Sequence, residues 1–274
     1  MVMHPLKSVR KIELPHHAIL ALDFDGVLCD SASELAHSAW RYLHPESPAP
    51  SAALLAAFTQ VRPALMTGYE SILLIAALDH GVTPNEILAQ SQWIASAIRD
   101  QAAVRDLAPE VWRAQLKHRF GKVRDKWLKH DFSGWLAIHR FYPHMVDAVR
   151  GWIAAGGAIA VITTKERRFA LALLETMDLS VPSEAVFGLE AGPKPEVLAQ
   201  LATTCKNLAF VEDRLDTLRE VVADSRLESL DLYLVDWGYN RQSDREAACA
   251  HPRIQLLSAP VTLAWNDVDW KKLT

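Results

Sequence analysis

The sequence is poor in cysteine, in glycine and in long apolar runs. Its 274 residues include only three Cys, at 29, 205 and 249. Three scattered thiols make neither a disulfide framework nor a four-ligand zinc site. They suit a reducing, cytoplasmic setting. The longest stretch free of Asp, Glu, Lys and Arg runs from Ser47 to Val61, and Pro48 and Pro50 interrupt it. A membrane span takes about 20 apolar residues, so none is expected. Lys7, Arg10 and Lys11 precede an apolar run that Asp23 and Asp25 cut short, which does not fit a secretory leader. Positive charge is not in excess either: 29 Lys and Arg against 33 Asp and Glu give a net charge of -4. That argues against a general binder of nucleic acid. Nine Trp against 11 Gly is the one compositional oddity.

What remains is an ordinary globular composition, 50% hydrophobic and 23% charged. The length suits one large domain or two modest ones. Four runs are continuously apolar rather than alternating: His17–Phe24, Ala158–Thr163, Asn207–Val211 and Leu230–Val235. That pattern predicts strands buried on both faces of a parallel sheet. Ile254–Leu257 reads as a short edge strand. Helical spacing separates them at Val146–Ala155, Glu166–Met177, Pro195–Thr203 and Arg214–Val222, and Gly156-Gly157 reads as a helix stop. Alternating strands and helices predict a doubly wound α/β sheet.

Residues 31–140 break this rhythm. They hold no convincing strand, many Ala and Leu, and Trp40, Trp93, Trp112, Trp127 and Trp135. We read an all-α segment inserted into an α/β core made of residues 1–30 and 141–274. The tryptophans read as its core, with a stacking platform for a ring as the sharper alternative. Arg113–His130 is rich in Lys and Arg, with Asp125 as its one acid. It reads as a solvated helical face, or as a local attraction for an anionic substrate.

The strongest chemical signal is Asp23-Phe24-Asp25-Gly26-Val27-Leu28, followed by Asp30-Ser31. It places two carboxylates at the end of a first parallel strand, where α/β sheets bind ligands. A turn at Gly26 would let the two carboxylates work from different angles. In this segment the sequence resembles the haloacid dehalogenase superfamily, whose first motif is DxDGxL. Further matches follow in order: Val161-Ile162-Thr163, Gly192-Pro193-Lys194-Pro195 and Phe210-Val211-Glu212-Asp213. Val61–Glu70, Phe210–Leu215 and Trp237-Gly238-Tyr239-Asn240 resemble a branch of such hydrolases from plants and photosynthetic bacteria.

The resemblance implies a Rossmann-like core with a C1-type helical cap, and a phosphatase acting on a small phosphorylated metabolite. It implies Asp23 as nucleophile and Asp25 as general acid and base. Thr163 and Lys194 would hold the phosphate, with Gly26, Thr164 and Lys165 beside the substrate. It further implies Mg²⁺ held by Asp23, Asp25 through its backbone, Asp213 and Glu212. A dianionic phosphate among carboxylates repels by about 1 kcal/mol per charge pair at 4 Å in water and about 4 at an effective dielectric of 20, so a cation is needed. The family's dehalogenases lack an acid at the position of Asp25, which favours phosphate esters. The fourth motif departs from the family pattern: Glu212 replaces a Gly, and Thr217 stands where a second Asp is usual. Either Glu212 joins Asp213 at the metal, or Asp213 binds it with Glu212 behind and Asp216 an ordinary first-turn acid, or Asp216 assists Asp213. Arg62, Tyr69 and Glu70 are candidates for reading the leaving group. Phosphonate hydrolysis, phosphosugar mutation and a non-catalytic binding role are the competing functions.

Overall fold

The computed structural model of the protein describes residues 18–258 except Pro48, Ser91, Ser180 and Lys206. Lys7, Arg10, Lys11 and His17, the first residue of the sequence-read strand, lie outside the described residues.

The chain opens with β1 (Ala18–Leu22) and the short β2 (Cys29–Asp30). Seven helices follow: α1 (Ala32–Leu43), α2 (Ala52–Val61), α3 (Ser71–Asp79), α4 (Pro84–Leu88), α5 (Trp93–Val104), α6 (Pro109–His130) and α7 (Phe132–Ala137). Next come β3 (Arg140–Phe141), α8 (Pro143–Ala154), β4 (Ala158–Ile162), α9 (Arg167–Thr176), β5 (Val186–Phe187) and α10 (Lys194–Ala202). The chain then forms β6 (Asn207–Glu212), α11 (Leu215–Ala223), β7 (Asp231–Val235), α12 (Gln242–Cys249) and β8 (Ile254–Leu257).

Six strands form one sheet in the order β5-β4-β1-β6-β7-β8, and all its pairings are parallel. The apolar runs alternate between two cores. In β1, Leu20 and Leu22 face one apolar cluster while Ile19 and Ala21 face the other. β4 and β6 do the same, with Ile159, Val161, Ala209 and Val211 on one side and Ala160, Ile162, Leu208 and Phe210 on the other. Successive strand side chains point to opposite faces, so a strand covered on both needs no polar positions. Helices α8 and α9 cover one face through Met145, Val149, Phe169 and Leu173. Helices α10 and α11 cover the other through Leu198, Leu201, Leu218 and Val221. The stop after α8 is as read: Gly156 has φ +89°, a conformation that favours glycine.

The sequence misses three things. β2 and β3 pair antiparallel where the helical segment leaves and rejoins the core. β5 and β3 are two residues long, too short to carry a period. α12 is a polar helix with only Ala248 buried, so it has no apolar stripe to read.

Helices α1 to α6 enclose a third apolar cluster that includes Leu35, Phe58, Leu73, Ile98, Trp112 and Phe120. Trp127 and Trp135 instead join the cluster under the sheet. The basic run is not purely a solvated face: Arg124 is buried on α6. Among the described residues no helix is long and apolar enough to cross a membrane.

Candidate active site

The chain lays down β1, β4 and β5 in one direction, then crosses to β6 on the other side of β1. Such a reversal leaves a crevice at the strands' carboxyl ends. Asp23 follows β1, Thr163 follows β4, and Glu212 and Asp213 close β6. The Asp23 amide donates to the Val211 carbonyl at 2.9 Å, which ties the ends of β1 and β6 together.

After Asp23 the chain turns sharply. The amides of Leu28 and Cys29 both donate to the Phe24 carbonyl, and Gly26 has φ +93°. A Cβ at Gly26 would run into the Asp213 carboxylate, so the turn and the close approach both require glycine. Gly238 packs against Asp213 in the same way.

The turn sends the two carboxylates apart. Asp23 faces Lys194, whose Nζ lies 2.8 Å from Asp23 Oδ1 and 2.6 Å from Glu212 Oε2. Lys194 is the first residue of α10, placed by Pro193. Glu212 Oε1 accepts from the amides of Asp213 and Arg214, each at 3.0 Å. Asp213 Oδ2 accepts from the Tyr239 amide at 2.6 Å. Asp23, Glu212 and Asp213 each bring an oxygen within 4.8 Å of the other two. All three are buried. Burial pushes Asp23 and Glu212 up to about 7, against the pull of Lys194. Burial and the neighbouring Asp23 also raise Asp213. Lys194 is raised, because its two carboxylates outweigh the cost of burial.

Asp25 has the opposite surroundings. Its Oδ1 accepts from Ser31 Oγ at 2.5 Å and lies 3.2 Å from Lys165 Nζ. Burial pushes Asp25 up, but Lys165, Ser31, Arg62 and Arg124 together hold it below the usual carboxylate range. Lys165 also lies 3.9 Å from Glu34 Oε2. Glu34, on α1, is fully buried and takes both Nε and a terminal nitrogen of Arg124, with Ser38 Oγ at 2.6 Å. His139 stands 4.0 Å from the same carboxylate, and burial pushes it down to about 4.

Thr163 is buried, and its Oγ1 accepts from the Lys165 amide at 3.1 Å. Thr164 and Lys165 line a small cleft that opens to solvent, together with Asp25, Arg62 and Tyr69. Glu70 does not reach it as a free group: its Oε2 accepts from the Met66 and Thr67 amides and caps its own turn. Asp216 lies apart from the acidic cluster, with its side chain 64% exposed and paired to Arg219. None of the five tryptophans of the helical segment lines the cleft, whose rings are Tyr69 and Phe120.

Sequence reasoning gave no role to four contributors. Tyr239 donates its hydroxyl to Asp30 Oδ1 at 2.7 Å and accepts from the Ser31 and Ala32 amides, fastening the start of α1 to the site. Asn240 donates to the carbonyls of Asp213 and Val235 and fixes the loop after β7. Glu34 and Arg124 stand 90 positions apart, and no local pattern links them. The Trp237-Gly238-Tyr239-Asn240 cluster was a visible signal for the first two.

The acidic cluster fits a hard divalent cation. Three buried carboxylates face one ammonium, so ionising all of them would leave an excess of negative charge that a cation offsets, and an all-oxygen donor set suits Mg²⁺. Asp23 and Asp213 are the best placed donors. Glu212 is already engaged at both oxygens, by Lys194 and by the two amides.

None of the curated proteins matches the sequence significantly. Solved structures match over nearly the whole chain. A haloacid dehalogenase-like hydrolase from Bacteroides fragilis is 15% identical, with a TM-score of 0.55 over 90% of this chain and 98% of that one. A predicted phosphatase from Clostridium acetobutylicum is 12% identical, with a TM-score of 0.56 over 92% and 98%. A predicted phosphoglycolate phosphatase from Haemophilus somnus is 17% identical, with a TM-score of 0.51 over 83% and 88%. At these identities the likeness is one of fold. The family model for haloacid dehalogenase-like hydrolases matches residues 17–219, and the chain belongs to that family.

Proposed function

We propose that the protein is a Mg²⁺-dependent phosphatase that hydrolyses a small phosphate monoester through an aspartyl-phosphate on Asp23. The observation that carries this reading is the division of labour across the Gly26 turn. One carboxylate meets Lys194 in an acidic pocket, and the other faces a separate cleft from beside Lys165. Similarity to structures described as phosphatases supports the same class.

An Asp23 oxygen attacks phosphorus as the bond to the ester oxygen breaks. Asp25 gives its proton to that leaving oxygen. Asp25 is held as a carboxylate by its neighbours. The charge of an arriving phosphate dianion opposes this and favours the protonated form. Water then attacks phosphorus, Asp25 takes its proton, and the bond to Asp23 breaks to release inorganic phosphate. Lys194 holds Asp23 in place and offsets charge on the phosphoryl oxygens. Thr163 donates its hydroxyl to one of them. Mg²⁺, held by Asp23, Asp213 and the Asp25 carbonyl, with Glu212 beside them, would supply the positive charge that offsets phosphate and carboxylates together. We read residues 31–140 as a cap domain that closes the leaving-group side.

The test is phosphate release from a panel of monoesters with Mg²⁺ and with chelator. Turnover that needs the cation supports the reading. Undiminished turnover in chelator, or none on any ester, rejects it.

A further inference from the structure

The cleft beside Asp25 has more positive charge than the protein's own acids use. Of its four cations, Arg124 is committed to Glu34, and Lys165 stands between Asp25 and Glu34. Arg62 and Lys117 are left. Among the described residues neither has a carboxylate within ion-pair distance. Glu166, the other acid in the lining, is taken by Arg168 at 2.9 Å.

Arg62 is 8% exposed, and its Nε has no hydrogen-bond partner. Its guanidinium lies 3.9 Å from the centre of the Tyr239 ring. That ring is itself fixed at the hydroxyl by Asp30, Ser31 and Ala32. A buried guanidinium with no carboxylate in ion-pair contact is costly; Asp25 acts on it only from farther off, and the ring face offsets only part of that cost. A cost of this kind, held in place beside a reactive group, points to a ligand.

The lining also says which part of the ligand. Asp25 borders this cleft, whereas Asp23, Lys194, Glu212 and Asp213 do not. The cleft therefore continues from the leaving oxygen and away from the phosphoryl group. Resting on the phosphatase reading above, we propose that the leaving group carries a second anionic group, a carboxylate or a phosphate, bound by Arg62 and Lys117. The substrate class is then acidic phosphate esters, and neutral esters of the same size are discriminated against.

Three matched esters test this on the full chain with Mg²⁺: 3-phosphoglycerate, glycerol 1,3-bisphosphate and glycerol 3-phosphate. The first has a carboxylate in place of the neutral hydroxymethyl end of the third, and the second carries a phosphate ester on that end. Expected is a kcat/KM at least about tenfold higher for one acidic ester than for glycerol 3-phosphate, because a buried cation left unpaired penalises the neutral one. Which acidic ester wins identifies the anion. Arg62→Gln is expected to bring that ratio close to one, Arg62→Lys to restore part of it, and Lys117→Gln to lower it less. Equal rates for acidic and neutral esters, or equal losses on all three in a folded Arg62→Gln, overturn the proposal alone. No turnover of any ester by the wild type overturns the phosphatase reading, and this inference with it.

Discussion

Asp23 and Asp25 are two residues apart and sit in opposite electrostatic surroundings. Around Asp23, Glu212 and Asp213 add negative charge, one ammonium opposes them, and burial pushes the Asp23 carboxyl up to about 7. Around Asp25, burial has the same sign, but Lys165, Ser31, Arg62 and Arg124 overcome it and hold the group low. On the first side acids outnumber the protein's cations. On the second, cations outnumber acids. One turn, closed on the Phe24 carbonyl and passing through Gly26, creates that contrast. Pairs of titratable groups pushed apart in this way are how a fold assigns separate acid and base roles to one residue type. The source of the charges differs as well. The acidic side is built by residues at the core strand ends, whereas Arg62, Arg124 and Glu34 come from the helical segment. In the phosphatase proposed above, the core would hold the phosphoryl group, and the helical segment would set the charge of its surroundings.

Breaking the acidic side has the largest expected effect. Asp23→Asn should lower phosphate release on the order of 10⁴-fold or more, as removal of a covalent nucleophile does. The same change should raise the melting temperature of cation-free protein at neutral pH, because one costly buried charge is gone.

Breaking the cationic side should cost stability before chemistry. Glu34→Gln leaves Arg124 without its buried counter-charge and Lys165 with Asp25 alone, and Arg124→Met strands Glu34. Each is expected to lose about 3–5 kcal/mol in denaturant unfolding. The double variant should lose clearly less than the sum. Additive losses would mean that the pair is not coupled.

His139 gives a pH test of the same network. It is held neutral by burial, from an ordinary value of 6.5 down to about 4. Its contribution to stability is therefore present above about 6.5 and lost as pH falls toward 4, on the order of 3 kcal/mol at the limit. His139→Phe should flatten that part of the stability curve, read by thermal unfolding from pH 7 to pH 4. An unchanged slope would place the acid sensitivity elsewhere.

The smallest effect is expected at Asp216, outside both sides. Asp216→Asn removes an exposed pairing with Arg219 and should change stability by less than about 0.5 kcal/mol. The Mg²⁺ dependence of the activity should stay as in the wild type. A lost cation response would bring Asp216 back to the metal.

Much of this was legible in the sequence because it is local. A strand covered on both faces must be apolar throughout, so β1, β4, β6 and β7 announced themselves. Asp23, Asp25, Thr163, Lys194 and Asp213 each sit at an element's end, where periodicity gives way to polar residues. The split between Glu212 and Asp216 was not legible, because it depends on where β6 ends. With Glu212 still in the strand it turns inward, and Asp216 falls in the first turn of α11 with its side chain in solvent. The Glu34–Arg124 pair could not be read either. It joins α1 to α6, and an isolated acid or base on a helix looks like surface until the partner helix is in place. Arg124 was hidden further by the cations around it.

The central claim is that Asp23 becomes the phosphorylated residue, and trapping tests it most directly. Wild-type protein with Mg²⁺ and a hydrolysed ester, quenched in acid during turnover and digested, should carry one added phosphoryl group on the peptide containing Asp23. Asp23→Asn, treated the same way, should carry none. A phosphoryl group on another residue, or unlabelled Asp23 when a rapid quench catches enzyme in its first turnover, would contradict the account.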